Sequence, residues 1–123
     1  MKLSRFLMPL FLGAAVVMVG AEAPPAEHVD LMKKVAALNG KITKGEDVKA
    51  SATELGDVMT KVAAFWTPRD AAAGKLATDA ATAAKAIAAG TGDETANKAT
   101  IGASCRGCHP AHREGAAGAY MIK

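Results

Sequence analysis

Aromatic side chains are scarce in this chain of 123 residues, which has three Phe, one Trp and one Tyr. After residue 21 only Phe65, Trp66 and Tyr120 remain. Many inward-facing positions are alanines instead, which bury little apolar area, and burial stabilises a fold by only about 25 cal/mol per Å². A small domain has a thin stability margin, so we expect this core to be completed by something large and apolar.

Strand patterns and a strong charge imbalance are also missing. No segment alternates polar and apolar residues with a period of two. The chain has 15 Lys and Arg against 12 Asp and Glu, and without Lys2 and Arg5 the balance is 13 minus 12, or +1. This near neutrality favours neither a nucleic-acid partner nor an anionic membrane surface. No Ser-His-Asp set, carboxylate pair or phosphate-binding loop is evident, so we predict that the protein is not an enzyme.

The N-terminal segment, residues 1–21, has the layout of a secretory signal peptide. Lys2 and Arg5 precede an apolar run of fourteen residues, Phe6 to Val19, and small residues follow. We predict cleavage after Ala21, which leaves residues 22–123 as a single exported, periplasmic domain. The apolar run is shorter than the roughly 20 residues of a membrane-spanning helix. A membrane anchor through an uncleaved segment is the alternative.

The remaining sequence predicts four helices, over 25–43, 46–66, 68–89 and from 93 onward, because apolar residues recur at steps of three and four. We expect capping boxes of Thr43 with Glu46 and of Thr67 with Asp70, and a helix end at Gly90. Short connections favour antiparallel neighbours. The predicted fold is therefore an all-α, up-down four-helix bundle.

Each predicted helix has a stripe of residues expected to face the core. The four stripes comprise Leu31, Val35, Leu38 and Ile42; Val48, Ala52, Leu55, Met59, Val62 and Trp66; Ala73, Leu76, Ala80, Ala83 and Ile87; and Ala96, Thr100 and Ala103.

The only two cysteines lie in the last helix, in the motif Cys105-Arg106-Gly107-Cys108-His109. C-x-x-C-H is the attachment signature of c-type haem. The i, i+3 spacing puts both sulfurs on one helix face, where each can form a thioether with a porphyrin vinyl group. His109 then lies next to the iron as its proximal ligand. One motif predicts one covalent haem, which would also supply the missing apolar core.

Three other interpretations of the motif stay open. A redox disulfide is disfavoured because such pairs accompany a βαβ pattern. A zinc site from Cys105, Cys108, His109 and His112 would crowd its ligands into one short stretch, whereas structural zinc usually takes ligand pairs from two segments. An exported bundle without haem that binds a metal ion or a protein is the third.

The chain resembles the class II c-type cytochromes, the cytochrome c′ family. The resemblance is densest in KLATDAATAAKAIAAGTGDETANKATIGASCRGCH and extends to LMKK and KGE in the first helix region. It implies a four-helix bundle with haem on the last helix, held by Cys105 and Cys108 and ligated by His109. It also implies a basic residue near the proximal imidazole, here Arg113, which helical spacing puts on the face of His109. An ordinary solvated residue is the alternative for Arg113.

Met32 occupies the position that the resemblance assigns to the distal side of the haem. As the sixth iron ligand it implies an electron carrier that cycles between Fe(II) and Fe(III) with a redox partner protein. An open sixth site implies a cytochrome that binds NO or CO. Core packing is the third role open to Met32. The resemblance also implies a homodimer as one alternative for the oligomeric state, the other being a monomer.

Four further residues differ from the family pattern or carry less weight. His28 stands where a basic residue is common and could contact a haem propionate, but we expect it to be exposed in the first helical turn. His112 is expected at the haem edge or in solvent. Met59 is expected in the core, and Met121 lies in a tail that we expect to fray. The chain is also shorter than typical members between Met32 and the motif.

Overall fold

The computed structural model describes residues 22–114 and 121–122. The predicted signal peptide, its cleavage site and Tyr120 lie outside these residues. Four α-helices of 19 residues each confirm the predicted all-helical fold: α1 (Ala26–Lys44), α2 (Val48–Trp66), α3 (Ala71–Ala89) and α4 (Glu94–His112). None of the helices in the described ranges combines the length and the apolar character that a bilayer crossing requires.

Consecutive helices run antiparallel. A helix of 19 residues is about 28 Å long, and connections of three or four residues are too short to return along it. The contacts agree, because Thr67 at the end of α2 lies against Gly74 near the start of α3, whereas Lys85 near the end of α3 donates to Thr60. Close packing joins α1 to α2, α2 to α3 and α3 to α4. Among the described residues α1 and α4 have no comparable contact.

The core lies mainly between α2 and α3, where alanine and glycine let the backbones approach closely. A Cβ atom added to Gly74 would lie 2.8 Å from the Cα of Thr67, and one added to Gly56 would lie 2.8 Å from Cγ of Lys85. Nearly all predicted core residues of α1, α2 and α3 are buried, the exceptions being half-buried. Those exceptions are Leu31, Val48 and Leu76.

The ends of the helices differ in part from the prediction. Gly90 has the expected left-handed backbone (φ 68°) that closes α3, and Gly45 does the same for α1 (φ 76°). Glycine adopts this conformation without a steric penalty. The capping box of Thr43 with Glu46 is wrong, because the Thr43 hydroxyl donates to the Asn39 carbonyl and α2 begins only after Asp47.

The start of α3 is also later than predicted. The Thr67 hydroxyl donates to the Ala63 carbonyl of its own helix rather than capping the next one, a common alternative for Thr near a helix end. Asp70 is the N-cap, and its Oδ1 accepts from the Ala73 N–H at 3.0 Å. The helix therefore starts at Ala71 rather than at residue 68.

The buried face of α4 is displaced from the predicted one. Ala96, Thr100 and Ala103 are exposed, whereas Ile101 and Ser104 are buried. Alanine and threonine carry little apolar area, so burial of the single isoleucine outweighs them. The sequence prediction for this face is wrong because it treated small residues as if they buried as much apolar area as large ones.

A short ribbon follows α4. Strand β1 (Arg113–Glu114) pairs antiparallel with β2 (Met121–Ile122), with Arg113 opposite Ile122. Glu22 bridges the other side of Ile122 through two backbone hydrogen bonds of 2.8 and 2.7 Å. The fraying expected for the tail is therefore wrong for residues 121–122, which tie the two ends of the described chain together.

Candidate functional site

A cavity of about 540 Å³ opens on the side of the bundle where α1 and α4 are not packed together. All four helices and β2 contribute to its walls, which are mainly apolar. Ligand and cofactor sites of proteins commonly have volumes of about 300–1,000 Å³ and walls of this kind. The cavity is therefore large enough for a sizeable organic group.

Every Cys, His and Met residue after residue 21 lies on the wall of this cavity. These eight residues are His28, Met32, Met59, Cys105, Cys108, His109, His112 and Met121. Thiols, thioethers and imidazoles are the ligands that haem iron and soft transition metals take from proteins. A core that only needed apolar volume would not require this choice of side chains.

Both cysteines are free and half-buried on the α4 wall of the cavity. Burial raises the pKa of the Cys105 thiol, and the nearby Arg106 charge only partly opposes it. Burial also raises the pKa of Cys108, with smaller contributions from Cys105 and Asp70. The two side chains are thus neutral thiols at neutral pH, facing an apolar space.

His109 lies beside Cys108 and is also half-buried on the cavity wall. Burial lowers its pKa, and the positive charge of Arg113 lowers it further. A neutral imidazole keeps a lone pair on one ring nitrogen, and that lone pair is what binds a metal. The surroundings therefore keep His109 in the form that can act as an iron ligand.

Trp66 lies at one end of the cavity and contacts a residue of α1 and a residue of α4, so positions along these two helices can be compared from it. Its ring lies 5.9 Å from that of His28 and 4.9 Å from that of His112, measured between centroids. At about 1.5 Å per residue, Met32 lies about 6 Å deeper along α1 than His28, and His109 about 4.5 Å deeper along α4 than His112. Met32 and His109 thus lie at similar depths on walls formed by different helices.

His28 is buried, so the expectation that it is exposed is wrong. Only 7% of it is accessible, and its ring stacks on Phe65 at 4.3 Å between centroids with 16° between the planes. Its Nδ1 atom is buried and has no hydrogen-bond partner among residues 22–114 and 121–122. Burial lowers the pKa of His28, with a smaller contribution from the Arg69 charge. No local pattern around residue 28 indicates that two aromatic residues of α2 cover this turn.

His112 and Arg113 both lie at the same end of the cavity. His112 is half-buried against Trp66, and its Nε2 is 3.7 Å from Oδ2 of Asp70. Arg113 does not continue the helix, so the expected shared helix face with His109 is wrong. Its backbone is extended (φ −132°), while its N–H still donates to the His109 carbonyl. Pairing with β2 therefore ends α4 at His112.

The sequence predicted the position of Met59 but not that of Met121. Met59 is buried in the core, as predicted, and also reaches the cavity. Met121 is a wall residue that sequence reasoning missed, because only the pairing of β2 with β1 brings it to the cavity. No local pattern in the tail indicates that pairing.

The described residues include no group of three or more His, Cys, Asp or Glu side chains placed to hold a metal ion. The zinc site considered from Cys105, Cys108, His109 and His112 is therefore not formed by these side chains alone. Cys105 and Cys108 are not joined by a disulfide in this structure.

Comparison with known proteins adds nothing to this geometry. No family model matches the chain, and no curated protein or solved structure matches it either.

Proposed function

We propose that this chain is an exported mono-haem c-type cytochrome that acts as an electron carrier. In this proposal Cys105 and Cys108 hold the haem through two thioethers and His109 is the proximal iron ligand. Met32 is the sixth ligand, and Arg113 lies beside the proximal imidazole. Membership of the cytochrome c′ family, periplasmic localisation and a redox partner protein are parts of the same proposal.

One observation carries the proposal: all eight Cys, His and Met residues after residue 21 line a single apolar cavity. The cavity also fits an amphipathic group rather than a purely apolar one, because its mainly apolar wall includes the imidazoles of His109 and His112 and the Arg113 side chain. A haem satisfies both features, with an apolar ring and carboxylate groups at one edge.

The two thiols are suited to covalent attachment. Each can add to a vinyl group, so that an S–C bond forms and the thiol hydrogen goes to the neighbouring carbon, which needs no oxidant. Cys105 and Cys108 are free and half-buried on the cavity wall, where they can meet such a group. The raised pKa of each thiol keeps it protonated, and a protonated thiol is less easily oxidised than a thiolate, so both stay available until attachment.

His109 and Met32 are the residues that would hold the iron. Haem held there supplies a one-electron couple between Fe(II) and Fe(III). His109 has a neutral imidazole because burial lowers its pKa, and a thioether such as that of Met32 favours the reduced form. Two ligands from different helices at similar depth would keep the iron geometry similar in both oxidation states, so that little must reorganise during electron transfer.

The test is the visible absorption spectrum of the reduced protein, matured with haem-attachment machinery, before and after addition of CO. Sharp low-spin bands that CO does not shift are expected. A colourless protein would overturn the haem assignment and return the metal- or protein-binding bundle to first place. Broad high-spin bands that shift with CO would keep the haem but replace electron transfer with binding of NO or CO at an open distal site.

A further inference from the structure

One carboxylate connects the start of α3 with the motif-bearing end of α4. Asp70 caps α3, since its Oδ1 accepts from the Ala73 N–H at 3.0 Å. Its other oxygen, Oδ2, lies 3.7 Å from Nε2 of His112, one helical turn beyond Cys108. The same side chain therefore contacts two helices with its two oxygens.

The connection is held firmly from both sides. The His112 side chain is only 17% exposed and packs on Trp66, which is itself buried. The Asp70 side chain is 38% exposed, but its cap hydrogen bond restricts its rotamer. Arg69, the neighbouring cation, lies over the Phe65 ring at 3.8 Å, so it is turned toward α2.

The charge of Asp70 also reaches the motif. Its Oδ2 is 3.7 Å from the His112 imidazole, which lines the cavity together with Cys108 and His109. A negative charge beside the cavity wall favours a positive charge within the cavity through the Coulomb interaction. An oxidised iron next to Cys108 carries one more positive charge than a reduced one.

We propose that Asp70 is a positioning residue for the end of α4, holding its last turn through His112 and favouring the oxidised state of a metal centre bound at the motif. The second part rests on the proposed function. The first part concerns the protein alone and can be tested whether or not a haem is present.

Replacement of Asp70 by asparagine tests the effect of its charge separately from the effect of its helix cap. Asn caps helices about as well as Asp, so Asp70→Asn keeps the cap of α3 and removes the negative charge. Asp93 provides a matched control, because it caps α4 in the same way, with Oδ1 accepting from the Ala96 N–H at 2.7 Å, at the opposite end of that helix. Asp93→Asn removes an equivalent charge far from the motif.

The positioning part is tested by a double-mutant cycle of Asp70→Asn with His112→Asn. Unfolding by urea is measured for all variants under the same conditions. The expected coupling is at least a threefold change in the unfolding equilibrium constant, with none in the cycle of Asp93→Asn with His112→Asn. No coupling in the Asp70 cycle would overturn the positioning role.

The charge part is tested by redox titration of the matured protein. In Asp70→Asn the ratio of Fe(II) to Fe(III) at a fixed applied potential should rise on the order of threefold, as expected for one partly screened charge, and Asp93→Asn should leave it unchanged. Equal shifts in the two variants, or none in Asp70→Asn, would overturn this part alone. A wild-type protein without haem would instead overturn the proposed function, and this part with it, while the cycle still decides the positioning role.

Discussion

The interface between α2 and α3 differs in its residue types from the opposite side of the bundle, between α1 and α4. Alanines and two glycines, Gly56 and Gly74, bring α2 and α3 so close that a single added methyl group has no room. Between α1 and α4 the side chains are larger and softer, and they surround a cavity of about 540 Å³. Small residues close one side of the bundle, whereas a cavity remains on the other side.

The comparison explains how so few large apolar residues can form a stable domain. Helices that approach closely gain dispersion contacts between backbones, which partly offsets the small area that alanine buries. The cavity side has no such compensation in the protein itself. Its stability should therefore depend on what the cavity holds, and the predictions below address the two sides in order of decreasing effect.

The largest effect is expected from removing both points of attachment. The variant Cys105→Ala with Cys108→Ala should be largely unfolded, because the proposed haem, which would complete the core, could no longer be held there. Circular dichroism with thermal melting measures this. Thr100→Ala, an exposed substitution on the same helix, is the control and should remain folded. A cooperative, fully helical double-cysteine variant would show that haem is not part of the core.

The second largest effect is expected at the interface between α2 and α3. Gly74→Ala should lower the free energy of unfolding by about 1–3 kcal/mol, because its Cβ would lie 2.8 Å from the Cα of Thr67, which cannot move alone. Gly40→Ala is the matched control, since no atom lies within 4 Å of its added Cβ. It should raise the free energy of unfolding by about 0.5–1 kcal/mol. Urea denaturation compares the two, and similar values for both would argue against a tight α2–α3 contact.

A smaller change in stability but a clear spectroscopic change is expected at Met32. Met32→Leu keeps a similar apolar volume and removes the sulfur, so the reduced spectrum should become high-spin and sensitive to CO, and the potential should fall. Met59→Leu is the control, because Met59 lies on the same cavity but is buried in the α2 core. A low-spin spectrum that persists in Met32→Leu would assign the sixth ligand to another residue.

The smallest effect concerns the pH dependence of stability at His28. Burial lowers the pKa of His28 in the folded protein, so the unfolded chain binds the proton more readily. Stability should therefore be complete above the ordinary histidine range near 6.5 and decrease as the pH falls from there through the lowered pKa. His28→Phe should keep the stacking on Phe65 and reduce this decrease. Melting temperatures from pH 8 to pH 4.5 measure it, and identical pH profiles would contradict the assignment.

Local sequence features predicted the four helices well. The step of three and four in α1 and α2 is formed by large residues such as Leu38, Ile42 and Leu55, all of which are buried. In α4 the same reasoning failed, because Ala96 and Thr100 have too little apolar area to determine a face. The capping predictions failed at Thr43 and Thr67, whose hydroxyls bond to carbonyls of their own helices.

The candidate site was predictable from the sequence only where its residues are neighbours in the chain. Cys105, Cys108 and His109 lie within five residues of one another, and all three line the cavity. The burial of His28 depends on Phe65 and Trp66, which come from another helix. No pattern around residue 28 contains that information.

The sequence by itself determined the four helices and the placement of two thiols and an imidazole on the last of them, because these features depend on residues within a few positions of one another. Tertiary structure alone decided which face of α4 is buried, that the His28 side chain is buried, and that Met121 reaches the cavity. It also decided the role of Asp70, whose two oxygens meet different helices. These features depend on which surfaces exclude water together, and that is settled only when all four helices pack.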